Sequence, residues 1–240
     1  EGKTDGTGHD MISALMEQSY KGGRDINDRE IAHMMIALLM AGQHTSSATG
    51  SWAMLRLASR PEIIEELYEE QVRVYSDGAG GFAPLDYDTQ KSSVPVLDAV
   101  IRETLRMHPP IHSLMRRVKS DMVVPPTLAA PKTGKGQSTD TYVVPKGHYL
   151  VAAPGVSQID PHVWCDADKF DPHRWLGDKT LMDQTDDAQE DFGWGLVSTG
   201  ANSAYLPFGA GRHRCIGEQF AYLQLGTIIS NFVRLSLIHI

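Results

Sequence analysis

A helical pattern runs unbroken over residues 28–58. A helix of that length spans roughly 46 Å at about 1.5 Å per residue, so it must cross most of any domain this chain can form. Asn27 followed by Glu30 has the spacing of a capping box at its start, and Arg60-Pro61 stops the pattern at its end. The first half of the segment is apolar, while Gln43 to Ser47 in the middle are polar. A polar stretch inside a crossing helix has to face something other than core.

Shorter elements surround this one. Asp10 to Tyr20 reads as a short amphipathic helix with Met11, Leu15 and Met16 on one side, preceded by a Gly- and Thr-rich frayed start at Glu1 to His9. Pro61 opens a helix through about Tyr75, and the Gly-rich turn Asp77 to Gly81 follows it. Pro95 opens another, carrying Val96, Leu97, Val100, Ile101 and Leu105, which Pro109-Pro110 ends. The period then changes. Met115 to Val118, Met122 to Val124, Tyr142 to Val144 and Tyr149 to Ala153 read as strands, with Pro145 to His148 as a hairpin turn between the last two. Residues 125–140 are rich in Pro, Gly, Lys and Ser and read as an exposed loop. A last helix starts near Cys215 and runs through Phe220, Leu223, Leu225, Ile228 and Ile229. The fold class is therefore mainly α with small β-sheets.

With 240 residues, of which 41% are hydrophobic and 22% charged, the chain can bury one core, and residues 1–240 are expected to form a single domain. Its formal charge of -8 argues against a nucleic-acid surface, and the acidic run Asp183 to Asp191 reads as a solvated insertion. No stretch reaches the roughly 18 apolar residues of a membrane span, because Ile31 to Ala41 is interrupted by His33. Cys165 and Cys215 are too few for a disulfide framework or a four-thiolate zinc site, so a reducing compartment fits and each is judged alone. Cys165, in Val163-Trp164-Cys165-Asp166, reads as a structural thiol.

Cys215 has a different setting. It lies in Phe208-Gly209-Ala210-Gly211-Arg212-His213-Arg214-Cys215-Ile216-Gly217, where glycines lead into a helix. Amides at the start of a helix favour a thiolate, and glycines let backbone pass close to a flat macrocycle. The residues alone also allow an inert buried thiol, or a hydrolase nucleophile with His213 as a poorly placed base. Glu103-Thr104-Leu105-Arg106 sets a carboxylate and a guanidinium on one helix face. If exposed, such a pair contributes only about 0.3–0.5 kcal/mol. Thr45, Ser46 and Ser47 in the long helix could do no more than bend it by bonding back to its carbonyls.

The cysteine segment resembles the haem-binding signature of the cytochrome P450 family, with Phe208, Gly211, His213, Cys215 and Gly217 on its defining positions and His213 at the basic one. The resemblance implies the C-terminal, haem-binding half of that fold, with haem b (iron protoporphyrin IX) ligated by Cys215 and approached by Phe208, Gly209, Gly211 and Gly217. A thiolate opposite dioxygen pushes electron density toward O–O cleavage. The segment Phe170-Asp171-Pro172-His173-Arg174-Trp175 resembles the part of the family that supplies a third partner, so Glu103, Arg106 and Arg174 would form a buried structural triad. Ala41-Gly42-Gln43-His44-Thr45 is similar to the oxygen-activation segment, which implies that Gly42 clears a side chain where a ligand approaches and that Thr45 relays a proton, with His44 where many members carry an acid.

Together with His112-Ser113-Leu114-Met115-Arg116 and Tyr205-Leu206-Pro207-Phe208, His44-Thr45 is similar to the sterol 14α-demethylase branch. Gly193-Trp194-Gly195-Leu196-Val197-Ser198 and Thr199-Gly200-Ala201-Asn202 resemble its filamentous-fungal members. That branch implies Arg116 and His213 on the haem propionates, and Ile111, His112, Ser113 and Leu114 along a sterol pocket. Arg117 reads as the outward-facing neighbour. It also implies 14α-demethylation of a lanosterol- or eburicol-like sterol in ergosterol biosynthesis, an NADPH-cytochrome P450 reductase as electron donor, azoles as inhibitors, and the cytoplasmic face of the endoplasmic reticulum.

The resemblance covers about Asp10 to Arg234 and the haem-side motifs, so the N-terminal half with its membrane anchor is expected to lie outside these residues, and Ser236 to Ile240 do not read as family sequence. An isolated chain of this kind is expected to be inactive. The other readings are a peroxygenase or isomerase needing no reductase, against the latter of which Thr45 and Gly42 argue, and a haem-free fragment without activity.

Overall fold

The computed structural model describes residues 10–124, 142–161, 163–176, 205–210 and 213–235. Expectations for residues 1–9, 125–141, 183–191, 193–202 and 236–240, and for Gly211, lie outside them. The chain divides into two compact units, Glu1–Val94 with Ile216–Ile240, and Pro95–Cys215.

The first unit is helical. The long segment forms α2, Asp28–Ala58, a helix of 31 residues. Its capping box is complete: the Asn27 side chain accepts from the Glu30 amide at 3.0 Å, and the Glu30 carboxylate accepts from the Asn27 amide at 3.1 Å. Helix α3, Pro61–Tyr75, starts on its proline and buries Ile63, Leu67, Gln71 and Tyr75 along one stripe. The last helix of the chain, Glu218–Leu235, buries Leu225, Ile229 and Val233 and packs on both α2 and α3. Thr49, Ala53 and Leu57 form the matching stripe on α2, where Gly50 lets Leu225 come close. Full burial of one such aliphatic side chain contributes about 1.5–3 kcal/mol. Arg234 reaches back from the last helix to the Gln71 carboxamide oxygen at 2.7 and 3.0 Å.

Two expectations in this unit are corrected. The first helix, α1, covers only Met11–Met16 and buries no residue, with Met11 and Met16 both exposed. Lys21, Gly22 and Gly23 turn the chain so that Ser19 bridges to Asp25, which ends the helix early. The last helix begins at Glu218 rather than at Cys215, because Ile216 and Gly217 form a turn and the Gly217 carbonyl accepts the bond from Ala221 at 2.8 Å. The sequence pattern also missed α4, Tyr87–Ser92, six residues capped by Asp86.

The second unit opens with α5, Pro95–Met107, whose Leu97, Val100, Ile101, Leu105 and the pair Glu103 and Arg106 are all buried. Four short strands follow: β1 Leu114–Arg117, β2 Met122–Val124, β3 Tyr142–Val144 and β4 Tyr149–Ala152. The turn Pro145 to His148 does not close a β3–β4 hairpin. β1 pairs antiparallel with β4 and β2 with β3, giving two ribbons of two strands. Val118 explains the break, since its amide donates to the His148 carbonyl and its carbonyl accepts from the Gly147 amide, each at 2.9 Å, with Gly147 at φ 93°. A one-turn helix, α6, Pro154–Ser157, and a 3-10 turn, Pro172–Trp175, complete the described part. Numbered in chain order, the last helix is α7.

Candidate functional site

The Glu103 carboxylate is the hub of the second unit. It is fully buried and accepts five hydrogen bonds: from Arg106 Nε and Nη2 at 2.9 and 2.8 Å, the Asp171 amide at 3.0 Å, Arg174 Nε at 3.0 Å and the Trp175 indole N–H at 2.9 Å. Arg106, equally buried, spends its remaining donors on the carbonyls of Gln158, Ala167 and Lys169 at 2.8–3.0 Å. All five guanidinium N–H groups are then used, which is what a charge removed from water requires. Arg174, its side chain 5% exposed, adds bonds to the carbonyls of Cys165, Asp166 and Lys169. The structure thus brings together the three residues named from sequence.

Around the hub lies an aromatic cluster. Trp164 is fully buried and sits 5.7 Å from Trp175 and 6.3 Å from Tyr205, and Arg106 lies over its ring at 5.2 Å. The Trp164 indole donates to the Ser157 carbonyl at 3.0 Å, and the Tyr205 hydroxyl to the Arg102 carbonyl at 3.2 Å. Cys165 is exposed, contrary to a structural thiol; it is its backbone carbonyl that holds Arg174.

Gln158 was missed by sequence reasoning. Fully buried, it donates through Nε2 to the carbonyls of Leu105 and Arg106, both at 2.9 Å, and accepts through Oε1 from the Leu206 amide at 2.9 Å. Nothing in Ser157-Gln158-Ile159 marks it beforehand. For Trp164 and Trp175 a signal existed, since each stands beside a residue of the hub's sequence segments.

Past Leu206 the chain enters the cysteine loop. The Leu206 carbonyl accepts from Gly209 at 3.1 Å, Gly209 stands at φ 70°, and the Cys215 amide donates to the Phe208 carbonyl at 2.9 Å. This closed loop leaves Cys215 exposed as a free thiol, with His213 and Ile216 also exposed, the latter at 93%. An inert buried thiol is excluded by that exposure.

In the segment that leads into β1, Ile111, His112 and Ser113 are exposed and Leu114 is half-buried. His112 Nδ1 lies 2.7 Å from Ser113 Oγ, and its ring occupies the space a side chain at Gly155 would need, within 2.1 Å of a Cβ there. Arg116 is exposed on β1, its guanidinium donating to the Met115 carbonyl at 2.9 Å. Arg117 is exposed as well.

In the first unit, the middle of α2 bonds only along itself. Thr45 Oγ1 donates to the Ala41 carbonyl at 2.8 Å and Thr49 to the Thr45 carbonyl at 2.9 Å. His44 is exposed, and a Cβ at Gly42 would meet nothing within 4 Å among the described residues. Ile36, Leu39 and Met40 are exposed at 55%, 68% and 69%. No described helix is long and apolar enough to cross a membrane.

A family profile described as Cytochrome P450 matches residues 3–235. A lanosterol 14-alpha demethylase of Mycosarcoma maydis is 68% identical over 229 residues, which cover 95% of this chain and 41% of that protein. An eburicol 14-alpha-demethylase of Uncinula necator is 52% identical, covering 94% and 41%. A lanosterol 14-alpha demethylase of Eremothecium gossypii is 48% identical, covering 94% and 39%. The chain therefore spans about 41% of the length of the curated relatives it matches.

Haem is the cofactor this similarity implies, and the donor set fits it. Cys215 presents one exposed, soft thiol donor on its loop, and iron held there would take its in-plane ligands from a macrocycle. A single soft donor on a closed loop, flanked by exposed apolar Ile216, suits a flat apolar group of that kind. By the extent of the profile match and the identity of its relatives, the chain belongs to the cytochrome P450 family.

Proposed function

We propose that this chain is the haem-binding part of a sterol 14α-demethylase, with Cys215 as the thiolate ligand of haem b. The observation that carries the reading is the closed, exposed Cys215 loop joined through Leu206 to the fully bonded Glu103 hub. Relatives named for lanosterol and eburicol demethylation support the substrate class. When bound, haem supplies the centre at which dioxygen is activated for successive oxidations of the 14α-methyl carbon.

The chain's own residues have the remaining tasks. His213 and Arg116 would offer cationic or donor groups to the propionates, Phe208 would pack against the macrocycle, and Gly209 and Gly217 leave the backbone bare for close approach. His112, Ser113, Ile111 and Leu114 would line the sterol pocket, with His112 and Ser113 already bonded to each other. Thr45, whose hydroxyl hydrogen is engaged by Ala41, can still accept a hydrogen bond and pass a proton on by rotating, and exposed His44 can exchange protons with solvent. Gly42 keeps this stretch of α2 free of a side chain. Glu103, Arg106 and Arg174 hold the scaffold and do no chemistry. Electrons would come from an NADPH-dependent reductase, at the cytoplasmic face of the endoplasmic reticulum, and azoles would inhibit by taking the sterol's place.

The test is the ferrous carbon monoxide difference spectrum of the haem-loaded protein, expressed with the residues that flank the chain in its gene, beside Cys215→Ala. A red-shifted thiolate Soret band in the parent protein, lost in the variant, is the expected result. The absence of that band from the parent protein would overturn the reading.

A further inference from the structure

Gln158 is buried, neutral and bonded at every polar atom, and none of the roles above uses it. Its backbone caps α6, with the amide donating to the Pro154 carbonyl at 2.9 Å and the carbonyl accepting from Arg106 at 2.8 Å. Its side chain does something else. The carbonyls of Leu105 and Arg106 belong to the last turn of α5, where no further helical amide follows to satisfy them. The two hydrogens of the Gln158 amide fill that need, which leaves Oε1 facing away from α5 to accept the Leu206 amide. One side chain thereby joins the helix that carries Glu103 and Arg106 to the residue at which the cysteine loop begins. Leu206 is then fixed on both sides, its amide by Gln158 and its carbonyl by Gly209.

We infer that Gln158 is a positioning residue: it sets the register of the cysteine loop against α5 and so keeps the Cys215 thiol in the geometry that binds haem iron. The inference rests on the haem-thiolate reading of Cys215. Its chemistry is specific to a carboxamide, since only a group with two donors on one atom and an acceptor on the other meets two carbonyls and one amide at once. Replacement by an apolar side chain takes the partner from two buried carbonyls and the part-buried Leu206 amide. Replacement by a carboxylate keeps the acceptor for Leu206 but presents oxygen to the two α5 carbonyls.

The variants Gln158→Leu and Gln158→Glu are made in the haem-loaded protein, with Val100→Ala as a control that removes buried volume from α5 without touching the link. Two quantities are read: hydrogen exchange at the Leu206 amide, and the share of the carbon monoxide complex in the thiolate rather than the neutral-thiol form. In Gln158→Leu, loss of one net hydrogen bond speeds Leu206 exchange by about two- to tenfold, and the thiolate share falls while far-UV circular dichroism is kept. In Gln158→Glu, Leu206 stays protected and the thiolate share stays above that of the leucine variant. The control lowers the melting temperature with no change in either quantity. Unchanged exchange and thiolate share in Gln158→Leu would overturn the inference, as would an equal loss of thiolate in Val100→Ala. If the unmutated protein gives no thiolate band at all, the reading of Cys215 fails, and the tether itself still stands or falls on Leu206 exchange.

Discussion

The hub at Glu103 and the middle of α2 are both polar stretches inside helices, yet they treat their polar groups in opposite ways. Glu103 and Arg106 are fully buried, and their bonds reach backbone groups in two other stretches of the second unit, at Gln158 and at Ala167, Lys169 and Asp171. Thr45, Ser47, Thr49 and Ser51 bond only to carbonyls of their own helix. The first arrangement is complete within the chain and has no capacity left for a ligand. The second keeps its lone pairs and the bare flank at Gly42 available. On the proposed reading, polar residues that organise the fold and those near Thr45 that would serve chemistry differ in where their hydrogen bonds end.

The largest effect expected from this contrast follows Glu103→Ala. Arg106 and Arg174 would be left as buried cations without their carboxylate, and breaking a buried pair in this way costs about 3–5 kcal/mol. Against a total stability on the order of 5–15 kcal/mol, chemical denaturation should show a transition moved to much lower denaturant or a chain already unfolded. Thr45→Val, by contrast, should leave the transition within about 0.5 kcal/mol of its place, since it removes only a bond within the helix. Equal losses in the two variants would break the distinction.

How far each region could be read in the sequence follows the same physics. Asn27 with Glu30, Pro61 and Pro95 are local signals, and the helices they start are found where the spacing puts them. Glu103 and Arg106 are visible as a pair on one helix face. Arg174 enters only through the family resemblance, because its approach to Glu103 depends on the chain returning across the unit. Gln158 shares that non-local character without a motif to mark it, whereas Trp164 and Trp175 stand in segments the sequence singles out. The ribbons misled for a related reason: Pro145 to His148 has good turn residues, but strand partners are chosen by the bonds of Val118 to residues far along the chain. For Thr45, His44 and Gly42 the local geometry is legible, and the task proposed for them is defined by groups other than this chain's own.

Gly42→Ala sharpens the comparison at intermediate size. A methyl group there meets no described atom within 4 Å, and replacing a helical glycine by alanine gains about 0.8–1.0 kcal/mol of helix propensity. The variant should therefore unfold at higher temperature than the parent protein. If the bare flank serves ligand approach, sterol turnover should fall in the same protein. A more stable variant with full turnover would assign Gly42 no role in access, whereas a less stable one would mean that the flank is packed.

The smallest effect is expected at the start of α2, where Glu30, its side chain 30% exposed, is a solvent-accessible counterpart of Glu103. It too accepts a guanidinium and a backbone amide, from Arg24 at 2.8 and 2.9 Å and from Asn27 at 3.1 Å. The Arg24 bonds chiefly, then the Asn27 amide, lower its pKa from 4.5 to about 2. Because the folded value lies below the unfolded one, the carboxylate's contribution is fully present above about pH 4.5 and fades as the pH falls toward about 2. Salt weakens it further, since the pair lies in water. An NMR titration of the Asn27 and Glu30 amides should show the cap loosening across that window, with the change absent in Glu30→Gln and moved to higher pH in Arg24→Gln. Global stability should hardly respond, for an exposed carboxylate that loses its partner is taken up by water. Should acid across this window instead unfold the first unit as thoroughly as Glu103→Ala unfolds the second, the capping box would be a structural hub in its own right, and exposure would cease to separate the two carboxylates.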